Sequence, residues 1–94
     1  MDAIRVQGGM LLEDAALSAE ELSRACSVTV QWVVERVDAG LLECSGERRF
    51  SGAALRRARR LRELEAVFDA DPELAALTVD LIEEVERLRA LLRR

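Results

Sequence analysis

The chain has no lysine, no histidine and no tyrosine, a single tryptophan and two cysteines. Without lysine and histidine most acid/base chemistry near neutral pH is lost, and a histidine-based active site is impossible. Cys26 and Cys44 are too far apart for a CxxC pair, and no imidazole is there to complete a zinc site. They are expected to be the reduced thiols of a cytosolic protein. No glycine-rich phosphate loop or activated nucleophile is present. Glu20-Glu21 and Glu83-Glu84 are paired carboxylates, but helical neighbours point in different directions, so both read as solvated faces. The expectation is a non-enzyme with no cofactor and no metal. No apolar stretch approaches the ~20 residues that span a bilayer, and the start of the chain lacks a basic segment followed by an apolar one. A soluble cytoplasmic protein without membrane association is expected.

What is present is enough for one core. Half of the 94 residues are hydrophobic, and charged residues make up 34% with a net charge of only -4, the balance of a folded domain. The charge is divided along the chain. Residues 1–47 carry nine acids and three arginines, 48–62 carry seven arginines and no acid, and 63–94 carry nine acids and four arginines. A basic belt between acidic blocks either tracks phosphates or is neutralised by those blocks on the folded surface; the acidic total favours the second.

Residues 1–17 alternate weakly at Ile4 and Val6, then pass Gly8-Gly9 and Met10-Leu11-Leu12, the pattern of an edge strand or extended arm. Ser18-Ala19-Glu20-Glu21 is a capping box that opens a short helix with Leu22, Ala25 and Cys26 on one face. Cys26 is expected to pack as a small hydrophobe. Thr29 caps a second helix from Val30 to Ala39, stopped by Gly40. Two helices across so short a gap are a helix-turn-helix layout. Val30, Val33, Val34 and Val37 are spaced to face the core, with Gln31, Glu35 and Asp38 opposite.

Leu41 to Cys44 and Arg48 to Phe50, around Ser45-Gly46-Glu47, predict a two-stranded hairpin, a small wing. Ser51 caps a third helix to about Asp69, with Leu55, Ala58, Leu61, Leu64 and Phe68 inward and Arg56, Arg57, Arg59, Arg60 and Arg62 on the solvent face. Asp71-Pro72-Glu73 starts a last helix. In it Leu74, Thr78, Leu81, Val85, Leu88 and Leu92 form a heptad seam, Leu77 lies beside it, and Glu83-Arg87 make an i,i+4 pair. The seam either folds back on the rest of the chain or meets a partner or second copy. The resulting architecture is mainly α: a winged helix-turn-helix head over residues 1–70 and a long C-terminal helix over 71–94.

The run from Leu17-Ser18 to Gly40-Leu41-Leu42, then Arg49-Phe50 and Ala54-Leu55-Arg56-Arg57, resembles the MerR superfamily. MerR-type regulators carry Arg-Tyr-Tyr or Arg-Tyr-Trp in the second helix, where this chain has Val34, Glu35 and Arg36. A closer resemblance is to the chaperone modulator CbpM family, small bacterial proteins with a MerR-like head. Leu17-Ser18-Ala19-Glu20-Glu21-Leu22-Ser23-Arg24-Ala25-Cys26-Ser27-Val28 is similar to that family's Leu-x-x-Glu-Glu-Leu-Cys-Arg-Ala-Cys-Gly-Val. Gln31-Trp32-Val33-Val34-Glu35 resembles its Trp-Val-x-Glu. Leu81-Ile82-Glu83-Glu84-Val85-Glu86-Arg87-Leu88-Arg89 resembles its Leu-Leu-x-Glu-Ile-Glu-Arg-Leu-Arg.

The resemblance implies binding to the J-domain of a DnaJ-type co-chaperone, CbpA-like, and inhibition of it. Because J-domains carry a basic helix, complementary charge makes Gln31, Glu35 and Asp38 the first candidate contacts, with Glu20, Glu21 and Glu43 nearby. Trp32, offset from the valine stripe, is either an interface anchor or packed on the wing or third helix; packing is favoured. The alternative is a MerR-like transcription regulator whose Arg48, Arg49, Arg56, Arg59 and Arg60 meet the DNA backbone. Gln31, Glu35 and Asp38 weigh against that, since carboxylates repel phosphates.

Overall fold

A computed structural model describes residues 16–93, so the expected arm over Ile4 to Leu12 lies outside the described residues. Four helices carry most of that span: α1 (Ala19–Cys26), α2 (Val30–Asp38), α3 (Gly52–Phe68) and α4 (Pro72–Leu92). Each begins where a polar side chain satisfies the orphan amides of a first turn. Ser18 and Glu21 close a reciprocal box, Ser18 N–H donating to Glu21 Oε1 at 2.8 Å and Glu21 N–H to Ser18 Oγ at 3.1 Å. Thr29 Oγ1 accepts from Trp32 N–H at 3.0 Å and Ser51 Oγ from Ala54 N–H at 3.1 Å. Asp71 Oδ1 accepts from both Glu73 and Leu74 N–H, at 2.9 and 3.0 Å, and Pro72 occupies the first helical turn, where no amide partner is lost.

The ends of α1 and α2 follow one design. Gly40, at φ 78°, lets Leu41 N–H reach back to Arg36 C=O at 2.8 Å and Gly40 N–H to Val37 C=O at 3.0 Å. At the end of α1 the same pair of bonds runs from Val28 to Ser23 and from Ser27 to Arg24, but the left-handed residue is Ser27, at φ 58°. A residue with a Cβ pays about 1 kcal/mol for that conformation. The α1–α2 corner is therefore a strained but fully bonded turn.

The core gathers Leu22 and Cys26 from α1, Val33 from α2, Leu42 and Phe50 from the connection, Ala54, Ala58 and Leu61 from α3, and Ala75, Ala76 and Val79 from α4. Helices α1 and α2 pack together, α1 packs on α3, and α3 packs on α4. Phe50 is locked by two 2.8 Å backbone bonds to Leu17, one in each direction. No described helix is long and apolar enough to cross a membrane.

Several expectations are corrected. The hairpin does not form: among the described residues there is no strand, only the isolated Leu17–Phe50 bridge and a turn in which Ser45 N–H meets Arg49 C=O and Arg48 N–H meets Ser45 C=O, both at 3.0 Å. The left-handed residue of that turn is Arg48, at φ 58°, and not Gly46. Phe50 spends its backbone groups on Leu17, and Leu41 C=O accepts from Arg57 Nε at 2.8 Å, so those groups are not free to build a ladder. Val30 is exposed because a first-turn side chain leans back over the cap and away from the core. Phe68 is also exposed, at the last turn of α3 where the chain leaves through left-handed Asp69. In α4 the inward residues are Ala75, Ala76 and Val79, while Leu74, Leu81, Val85, Leu88 and Leu92 face solvent.

Candidate functional site

Helix α2 has two chemically distinct sides. On its inner side Val33 is fully buried, and Trp32 and Arg36, one turn apart, reach the same carboxylate on α3. Trp32 Nε1 donates to Glu65 Oε1 at 3.1 Å, Arg36 Nη2 donates to the same oxygen at 2.7 Å, and Arg36 Nε donates to Glu65 Oε2 at 3.3 Å. The guanidinium lies 4.3 Å from the Trp32 ring centroid, where the π face attracts a cation. Arg36 is buried, yet its charge is paired and its remaining donors reach Trp32 C=O and Glu35. This closed cluster holds α2 on α3.

Trp32 is half-buried, packed against the core, and its indole N–H donates to Glu65 on the third helix. The cluster could not be read from the sequence: Glu65 lies 29 residues from Arg36. The available signal was the i,i+4 spacing of Trp32 and Arg36, the only such aromatic–arginine step on α2.

The outer side carries Gln31, Glu35 and Asp38, all exposed. Gln31 Nε2 donates to Glu35 Oε2 at 3.0 Å, which orders the Glu35 carboxylate without removing it from solvent. A shallow cleft beside it is lined by Glu35, Arg36, Ala39, Leu41, Asp71, Pro72 and Glu73, with Arg36 Nη1 3.3 Å from Glu35 Oε1. The acidic surface thus extends from α2 to the start of α4, and Asp71 and Glu73 join the residues expected from sequence. Glu20 and Glu43 are exposed as well. The Glu21 carboxylate is tied into the cap by the Ser18 N–H, which holds its pKa below the ordinary carboxylate value.

The arginine belt is split. Arg57, expected on the solvent face, instead turns inward, donating to Leu41 C=O and pairing with Asp80 at 2.9 Å and Glu83 at 3.3 Å. Arg60 makes a two-pronged pair with Glu86, at 2.6 and 3.2 Å, which draws the Glu86 pKa down. With Glu83 committed to Arg57, the expected Glu83–Arg87 pair gives way to Glu84–Arg87 at 2.6 Å. Arg48, Arg49, Arg56 and Arg59 are exposed. Cys26 is buried, which pushes its thiol pKa up against the pull of Arg59 and Arg62, so it stays protonated and packs as a hydrophobe.

Comparison with models of known protein families, with curated proteins and with solved structures returns no match for this chain.

Proposed function

We propose that this chain is a non-enzymatic modulator that binds the J-domain of a DnaJ-type, CbpA-like co-chaperone through the outer side of α2 and limits its activity. In this reading residues 17–70 form a MerR-like helix-turn-helix head whose wing is reduced to the turn at Ser45–Arg49. The observation that carries it is the distribution of charge after folding. Gln31, Glu35 and Asp38 stay exposed and are extended by Asp71 and Glu73, while two of the belt arginines, Arg57 and Arg60, are consumed by α4 acids. An acidic face beside apolar surface suits a basic helix on a partner, where complementary charge sets orientation and association rate. Arg36, on the helix that would read bases in a DNA-binding relative, is turned inward to Glu65.

One observation favours the second reading, a DNA-binding regulator: among the described residues no ion pair holds the exposed Arg48, Arg49 or Arg59.

The test is a calorimetric titration of the chain with the J-domain of the co-chaperone from the same organism, beside duplex DNA at matched salt. Saturable J-domain binding without DNA heat is expected. The double reversal Glu35→Arg and Asp38→Arg should weaken it by about 10–100-fold. J-domain silence with salt-dependent DNA binding that loses slope in Arg49→Ala and Arg59→Ala would replace this reading by the second.

A further inference from the structure

A second cleft lies apart from the acidic side of α2. Ala25, Cys26 and Ser27, at the end of α1, face Arg59, Arg62, Glu63 and Val67 of α3 around a space of about 410 Å³. None of these residues lines the cleft beside Glu35. Positions 59, 62, 63 and 67 share one helical face. Along it, two guanidiniums one turn apart are followed by a carboxylate and then by an apolar side chain, Val67, which is exposed like Ala25.

The charge in this cleft is uncompensated. Arg57 and Arg60, on other faces of α3, are held by α4 acids. Among the described residues no ion pair or hydrogen bond holds the side chains of Arg59, Arg62 or Glu63, or the Ser27 hydroxyl at the rim. Burial raises the pKa of the Cys26 thiol, and Arg59 and Arg62 both oppose it, so the two positive fields converge on the cleft floor.

We infer that the cleft between the end of α1 and α3 docks an acidic segment of a partner protein, in which two carboxylates about one helical turn apart are followed by an aliphatic side chain. Arg59 and Arg62 take the carboxylates, the planar guanidinium fork matching two carboxylate oxygens. Ala25 and Val67 take the aliphatic group, and the Ser27 hydroxyl is a further donor at the rim. Glu63 limits the charged part, because a third anion beyond Arg62 would meet its carboxylate. A continuous polyanion such as nucleic acid therefore fits less well, since its phosphates repeat along the whole groove and the net charge of -4 repels it before contact. The left-handed backbone at Ser27 would be more stable with glycine, and the hydroxyl is what serine adds there.

An amide NMR titration of the full chain tests this with three probes: a blocked peptide carrying two glutamates one helical turn apart and a leucine one turn further on, the same peptide with glutamines, and a single-stranded oligothymidylate. Saturable shifts centred on residues 25–27 and 59–67 are expected with the glutamate peptide, and the glutamine peptide should bind about tenfold or more weakly. Arg59→Glu and Arg62→Glu should each weaken the glutamate peptide by about tenfold, with helical circular dichroism retained because both positions are exposed. Glu63→Gln should tighten it by about twofold to threefold. Ser27→Gly should raise the urea midpoint yet weaken the peptide, opposite signs that a purely structural serine would not give. Absence of saturation overturns the proposal, as does equal binding of the glutamine peptide or indifference to both arginine reversals. Oligothymidylate that saturates the same residues more tightly than the glutamate peptide overturns it in favour of nucleic acid. No J-domain enters the test, so its outcome is independent of the functional reading above.

Discussion

The two long faces of α4 invert the usual relation between size and burial. The face against α3 uses Ala75, Ala76 and Val79, with Asp80, Glu83 and Glu86 reaching α3 arginines at its rim; the opposite face carries the leucines. Small inward residues let two helices approach closely, and the arginine stems of α3 cover the flanks. The lesson is that apolar volume does not by itself say which way a helix faces. Buried contact with small side chains holds α4 in place, and the larger stripe is left to do something else.

The sharpest break of this contrast is a charge on either face. Val79→Asp puts an unpaired carboxylate at a fully buried position and should cost about 4 kcal/mol or more. Leu88→Asp should change the stability of the single chain by less than about 0.5 kcal/mol. Urea unfolding of both, at a concentration where the chain is monomeric, compares them; equal losses would mean that the outer face supports the fold. Volume gives the next contrast. Ala76→Leu has no room against α3 and should lose about 1–3 kcal/mol, while Leu81→Ala on the outer face, at 60% exposure, should lose less than about 0.5 kcal/mol.

Acid is the mildest probe. Glu86 and Glu84 both have pKa values lowered chiefly by arginine hydrogen bonds, from Arg60 on α3 and from Arg87 on the same helix. A lowered folded pKa means stability that is present above the unfolded carboxyl value and lost as pH falls through the folded one. Thermal midpoints should therefore decline below about pH 4. Glu86→Gln, which removes a link between helices, should flatten that acid limb more than Glu84→Gln, which removes a link within one.

The contrast also explains what was legible in the sequence. Every start of a described helix was readable, because Ser18, Thr29, Ser51 and Asp71 act on amides two or three residues away. The α4 stripe was readable as a stripe, but periodicity carries no information on which stripe meets α3. The wing failed because the partner of Phe50 is Leu17, 33 positions earlier, and nothing local competes with that bridge in the pattern of residues 41–50. Of the candidate site, the polar side of α2 was visible from its spacing. Asp71 and Glu73 were read only as part of the start of the last helix, since the cleft that brings them beside Glu35 comes from tertiary packing.

Trp32 has one more consequence. With no tyrosine in the chain, near-ultraviolet emission comes almost wholly from this one indole, which touches a carboxylate and a guanidinium at the joint between α2 and α3. The molecule thus carries its own optical gauge. A change in that signal while the far-ultraviolet helical signal stays constant would report α2 lifting from α3, or a ligand arriving on its outer side, as an event separate from global unfolding.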